Sequence, residues 1–185
     1  MKKLMIALVA VAMGVAANAA SYSWSANSGY LWDGAETPSK VTSGSAYLVF
    51  ASALSQSDLV TAFATDAATA ASTVASKSVS TGTIGSNARI DATSFTADVT
   101  TDQTAYFVVF KGDNMYVSIT ADAAYAAVGE SDIEFASITS SSKKSFDAAS
   151  GYSAAGWYTQ SVPEPTSGLL MLLGMAGLAL RRRRA

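Results

Sequence analysis

The hydrophobic pattern changes character along the 185 residues. Unbroken apolar runs occupy Leu4 to Ala17 and Gly168 to Leu180, near the two ends. Between them, apolar residues recur mostly with period two, in short segments separated by Gly, Ser, Asn and Asp. Tyr106 to Phe110 is apolar at every position, Lys111-Gly112-Asp113-Asn114 supplies turn chemistry, and Met115, Val117 and Ile119 alternate with Tyr116, Ser118 and Thr120. This predicts a hairpin with a central first strand and a half-exposed second strand. Further strands are expected over Tyr22 to Ala26, Ala46 to Phe50, Ser78 to Ile84, Ile133 to Ile138 and Gly156 to Gln160.

One segment follows helical spacing instead. Leu59, Phe63, Ala67, Ala70 and Val74 fall on one face at intervals of three and four. Ser57 is the expected cap, with Asp58 at the positive end of the dipole and Lys77 at the negative end. Residues 139–155, with Thr139 to Ser142, Lys143, Lys144 and Gly151, read as a long loop or irregular edge. The fold class expected for residues 20–161 is mainly β: a small antiparallel sheet or β-sandwich with one packed helix and one core.

Composition changes the picture by exclusion. The chain has no Cys and no His, which removes thiolate nucleophiles, His general bases, disulfides, haem ligation and ordinary zinc sites. Of the 12 basic side chains, six (Lys2, Lys3, Arg181, Arg182, Arg183 and Arg184) lie at the termini, and of the 14 acidic ones only Glu164 does. Six basic and 13 acidic groups remain in residues 20–161, a net charge of −7. That charge repels phosphate, so no nucleic-acid partner is expected. All 18 Trp, Tyr and Phe residues also lie in this middle, against a disordered stalk.

The ends read as processing signals. Lys2 and Lys3, the run to Ala17, and Ala17-Asn18-Ala19 form a tripartite secretory signal over residues 1–19, with cleavage expected after Ala19 and Ala17 at the other recognition position. As a helix its apolar run reaches about 21 Å, short of the roughly 30 Å hydrocarbon core. At the other end, Pro163 and Pro165 impose an extended backbone around Glu164. Thr166 or Ser167 can cap the following apolar helix, a membrane-crossing segment only about 20 Å long. Arg181 to Arg184 then act as a cytoplasmic stop. Both termini lie on the cytoplasmic side and the middle faces the opposite side.

Residues 162–185 together resemble the PEP-CTERM sorting signal of exported bacterial proteins: Val162-Pro163-Glu164-Pro165, a short Leu- and Gly-rich helix and terminal Arg181 to Arg184 occur in the family's order and spacing. The resemblance implies recognition by an exosortase, a polytopic membrane enzyme of cysteine-transpeptidase type that cuts near the motif, with signal peptidase acting at the other end. It further implies a membrane-anchored precursor whose product goes to the cell surface or extracellular matrix, in bacteria that make exopolysaccharide. On this account the four residues of the motif are substrate and catalyse nothing.

Candidate chemistry in the middle is sparse. Carboxylates suited to glycoside hydrolysis are Asp98 with Asp102, or Glu130 with Asp132 and Glu134. Asp113-Asn114 and Glu130-Ser131-Asp132 offer hard oxygen ligands of the calcium type in loops, without a complete loop signature. Turn and surface roles are preferred for all of them, so neither enzyme activity nor a metal or other cofactor is expected. Trp24, Trp32 and Trp157, with Tyr30 and Tyr158 beside them, are candidate glycan contacts, set against a core role. The expected function is a non-enzymatic surface or matrix protein with a structural or adhesive role. The alternative is a carbohydrate-binding module acting on exopolysaccharide or external glycans.

Overall fold

Strand alternation builds the molecule in layers. In the computed structural model the described residues are 20–35, 37–123, 130–135, 143–145, 151–160, 171 and 175. The larger sheet contains β2 (Ser45–Phe50), β3 (Ser80–Thr83), β5 (Gln103–Lys111), β6 (Asn114–Val117), β7 (Ala121–Ala123), β9 (Lys143–Ser145) and β10 (Gly156–Thr159). Its order is β3-β2-β5-β6-β10-β9, with β7 pairing the start of β5. The smaller sheet joins β4 (Ile90–Ala97), β1 (Ala20–Ala26) and β8 (Glu130–Glu134) in the order β4-β1-β8.

Period two sends successive side chains of the larger sheet into different layers. Ala46, Leu48, Phe50, Ala105, Phe107, Val109, Tyr116 and Trp157 face the smaller sheet, where they meet Tyr22, Trp24, Ile90, Ile133 and Phe135. Their neighbours Val49, Tyr106, Val108, Met115, Val117 and Tyr158 face the helices, against Leu59, Val60, Phe63, Ala70 and Val74. The single core expected from the sequence is therefore two, separated by the larger sheet. Aromatic edges interlock in the first: Phe107 and Phe135 meet at 4.9 Å and 83°, a geometry the ring quadrupoles favour.

Several expectations are corrected. The one helix is two, α1 (Gln56–Thr65) and α2 (Ala67–Lys77). Asp66 breaks them with an extended backbone at φ −158°. Its amide donates to the Ala62 carbonyl to close α1, while its carboxylate accepts from the Ala68 and Thr69 amides and the Thr69 hydroxyl to open α2. Short polar side chains compete with continuous helix in this way. The cap of α1 is Ser55, whose Oγ accepts from the Asp58 amide at 3.1 Å, and not Ser57. Leu59, Phe63, Ala67, Ala70 and Val74 still share one apolar face despite the break.

The second hairpin strand is not half-exposed: Met115, Tyr116 and Val117 are all buried because β10 pairs on its far side. Only beyond the strand does Ile119 emerge, 40% exposed. The hairpin loop itself is Gly112-Asp113, with Gly112 at φ +56°. Lys143 to Ser145, expected within a long loop or irregular edge, form β9 at one end of the larger sheet's order. The pairings β1·β8 and β10·β9 are parallel, so the sheets are not purely antiparallel. β4 has too many polar residues to be recognised by alternation; it exists because β1 offers it a ladder from Ala20↔Ala97 to Ala26↔Ile90. The expected strand Ser78 to Ile84 shrinks to β3 because Ser78 caps α2. The expected strand Ile133 to Ile138 starts earlier, at Glu130, and its residues 136–138 lie outside the described ones.

Two expected outcomes follow from this framework. Gly82 sits where an added Cβ would lie 2.7 Å from Ile90 Cγ2 and 2.8 Å from Trp24 Cζ2, inside the first core. Gly82→Ala should lower stability by about 1–3 kcal/mol, the usual effect of overpacking, as read by denaturant unfolding; an unchanged midpoint would contradict the close approach. The Asp66 carboxyl is held below its usual range by the Thr69 hydroxyl first and then by the Thr69 and Ala68 amides. A depressed folded value means its contribution is fully present above the unfolded value, about pH 4, and is lost as pH falls through the folded one. The destabilisation caused by Asp66→Ala, measured by thermal melts, should therefore be larger at pH 7 than in strong acid.

Candidate functional site

The aromatic segment after β1 forms a hook at one end of the sandwich. Leu31 points into the first core and is 1% exposed, so alternation turns Tyr30 and Trp32 outward. The segment folds back on itself: Trp32 and Lys40 form an antiparallel bridge, Val41 N–H donates to the Leu31 carbonyl at 2.8 Å, and Asp33 N–H donates to the Ser39 carbonyl at 2.9 Å. Leu31 N–H also donates to the Ala88 carbonyl at 3.0 Å. Ala88 is buried and holds a left-handed backbone, φ 58°, a conformation unfavourable for a residue with a Cβ.

Asp33 staples the turn. Its carboxylate accepts from the Ser39 amide at 3.1 Å and the Ala35 amide at 3.2 Å, and pairs with Lys111 Nζ at 3.4 Å. The Ser39 amide is the main reason its carboxyl titrates below the ordinary range; burial opposes this, and Ala35 and Lys111 reinforce it.

Cations gather on the outward rings. Lys40 Nζ lies 3.5 Å from the Tyr30 ring centroid and 5.9 Å from that of Trp32, and the Arg89 guanidinium carbon lies 4.8 Å from the Tyr30 centroid. These are cation–π distances. Arg89 Nε donates to the Gly29 carbonyl at 3.2 Å, which ties the loop between β3 and β4 to the hook. Tyr30 is 36% exposed, Trp32 and Arg89 are half-buried and Lys40 is exposed.

The three tryptophans expected as glycan contacts separate. Trp24 is 1% exposed, stacks near Phe107 and Phe135, and donates its Nε1–H to Ser80 Oγ at 2.9 Å. Trp157 is fully buried and donates its Nε1–H to the Trp32 carbonyl. Neither presents a ring face to a ligand, because each side chain fills the first core and satisfies its one donor there. Trp32 keeps an outward position, and Tyr158 is buried with its hydroxyl donating to the Ala154 carbonyl.

The candidate carboxylates are dispersed too. Asp98 is exposed, separated by the buried Val99 from Asp102. Asp102 lines an open recess of about 790 Å³ with Ser52, Thr101, Gln103, Thr104 and Asp122. Glu130, Asp132 and Glu134 alternate along β8, opposite Ser21, Ser23 and Ser25 of β1, and Ser23 Oγ donates to Asp132. Glu130-Ser131-Asp132 is thus strand and not the loop a calcium site was expected to use. Asn114 is engaged by Thr159, whose Oγ1 donates to Asn114 Oδ1 at 2.8 Å beside the Gly112-Asp113 turn. Among the described residues no group of three or more acidic side chains could hold a metal ion.

Sequence pattern gives no sign of Lys40, Arg89 or Lys111 as members of one cluster, since they come from three separate segments: the hook, the loop between β3 and β4, and the end of β5. The only legible signal was the aromatic-apolar-aromatic order Tyr30-Leu31-Trp32.

The expected sorting residues Val162, Pro163, Glu164 and Pro165, the stop Arg181 to Arg184, and the cleavage residues Ala17 and Ala19 lie outside the described residues. Met171 and Met175, the two described residues of the tail, are helical and exposed. Among the described residues no helix is long and apolar enough to cross a membrane. No curated protein and no solved structure matches the chain. One family model does, that of the PEP-CTERM protein-sorting motif, over residues 161–184, displaced by one residue from the 162–185 read from the sequence. The chain therefore carries a PEP-CTERM sorting motif at its carboxyl end, the mark of a protein sorted by an exosortase.

Proposed function

We propose that this chain is the precursor of a non-enzymatic bacterial surface or extracellular-matrix protein with a structural or adhesive role. The sorting motif at residues 161–184 carries the reading. In the proposed sequence of events, signal peptidase removes residues 1–19, the tail holds the product transiently at the membrane, and an exosortase-type enzyme then cuts near Val162-Pro163-Glu164-Pro165. Arg181, Arg182, Arg183 and Arg184 keep the tail from being drawn through before that cut, because four guanidinium groups do not readily cross hydrocarbon.

The architecture supports both boundaries. Ala20, the first residue after the expected first cut, is paired with Ala97 in β1 and 8% exposed. β10 ends at Thr159, and Gln160 Nε2 still donates to the Ala64 carbonyl at 3.3 Å. Between them, β10 lies between β6 and β9 and sends Trp157 and Tyr158 into opposite cores. These contacts hold the carboxyl end of the described domain at Gln160. The two prolines of Pro163-Glu164-Pro165 favour the extended form in which a processing enzyme takes its substrate.

Replacing Pro163-Glu164-Pro165 by three Ala should leave a membrane-bound form lacking only residues 1–19, seen by fractionation and intact mass in a host that has the exosortase. The unaltered protein's surface form should begin at Ala20, retain Gln160 and lack the apolar run. Normal release of the triple-Ala variant, or a surface form that keeps Arg181 to Arg184, would overturn the sorting account.

A further inference from the structure

The geometry points to the Tyr30–Trp32 hook as a binding surface for an acidic polysaccharide, a chain of sugars bearing carboxylate groups. This goes beyond the sorting account: it concerns what the exported domain holds and stands on the side chains of the hook alone.

Three observations carry it. The first is unpaired positive charge. Lys40 and Arg89 both lie over the Tyr30 ring and neither forms an ion pair among the described residues, although the middle of the chain carries 13 acidic groups against six basic ones. Glu36, in the segment between Trp32 and Lys40, lies outside the described residues. Two like charges on one ring repel each other, so a bound anion between them is favoured by both. Among the described residues Arg89 uses only Nε, leaving its two terminal nitrogens to meet a carboxylate side-on, and Lys40 donates no hydrogen bond.

The second observation is the pairing of those cations with half-exposed rings. Trp32 and Tyr30 present aromatic surface beside the charges, and Tyr30 adds an exposed phenol. Sugar rings offer apolar C–H faces to aromatic surface and hydroxyls to polar groups. A carboxylated sugar satisfies the aromatic and cationic halves together, whereas an acidic peptide uses the charge alone. The third is rigidity. Leu31 anchored in the core, Asp33 bonded to two amides and to Lys111, the Trp157 indole bonded to the Trp32 carbonyl, and the strained Ala88 beneath Arg89 hold the hook before any ligand arrives. A surface fixed in advance loses less freedom on binding.

The test uses the whole chain in detergent micelles, with Arg181, Arg182, Arg183 and Arg184 each replaced by Ser so that the tail's cations do not bind the probe. The probe is an oligogalacturonate, compared by calorimetry with a neutral glucan oligomer of equal length and with polyglutamate. Saturable binding to the oligogalacturonate is expected, tighter than to either control. Lys40→Gln, which loses no hydrogen bond among the described residues, and Arg89→Gln should each weaken it by about tenfold, the worth of one charge-assisted contact. Tyr30→Ala should weaken the oligogalacturonate without altering polyglutamate binding as much. An unchanged Lys40→Gln variant with an unaltered melting temperature, neutral glucan bound as well as the uronate, polyglutamate bound as well, or no binding at all would each overturn the proposal. None of these results bears on sorting, which is read in cells from the triple-Ala variant.

Discussion

The rest of the structure depends on the burial of both faces of β5. Its odd-numbered residues Ala105, Phe107 and Val109 enter one core and Tyr106 and Val108 enter the other, so a single strand is wetted by neither side. Such a strand must be covered above and below, and the molecule consists of that covering: a three-stranded sheet on one face and two helices on the other. The backbone adjusts around this requirement. Where β6 ends, Ser118 takes over part of the ladder: its amide donates to the Phe107 carbonyl at 3.0 Å and its Oγ accepts from the Phe107 amide at 2.8 Å. The Ser118 carbonyl then accepts from Gln56 at 2.6 Å, which ties α1 to the same point. Burial of strong polar groups is tolerated there because each finds a partner.

Polar side chains of the aromatic residues follow the same rule. Tyr106 reaches out of the second core to donate its hydroxyl to the Leu54 carbonyl at 2.9 Å, and burial pushes its ionisation upward, with the charge of Asp58 adding to the effect. Trp24 and Trp157 each bring one indole N–H to an acceptor at the margin of the first core. The exception among the described residues is Tyr22, whose buried hydroxyl has no hydrogen-bond partner there while its ring stacks on Phe95 at 5.5 Å.

Charge and hydrophobicity are arranged to separate roles. The apolar middle is consumed by the two cores; on β8 the exposed Asp132 and Glu134 pair in register with Ser23 and Ser25 of β1. The hook projects from the end of the sandwich where Lys40, Arg89 and Lys111 converge.

Elements whose physics is local are legible in the order of residues. The tail's motif is read from residues adjacent in the chain, and so are the Gly112-Asp113 hairpin, the apolar face running from Leu59 to Val74 and the alternation of β2. The hook's outward rings were visible as Tyr30-Leu31-Trp32, but not the cations over them: Lys40 reaches the rings only because the segment folds back on itself, and Arg89 arrives from the loop between β3 and β4. Tertiary structure alone decided that β4 is a strand, since its polar residues need a partner ladder, and that β6 is buried, since β10 covers its outer edge. It also decided that Asp66 splits one apolar stripe into two helices, because a carboxylate that satisfies free amides outweighs an unbroken helical ladder. Trp24 and Trp157 were assigned to the surface or the core only by folding. An indole serves either place equally well by composition, and its environment is set by which residues the other strands bring against it.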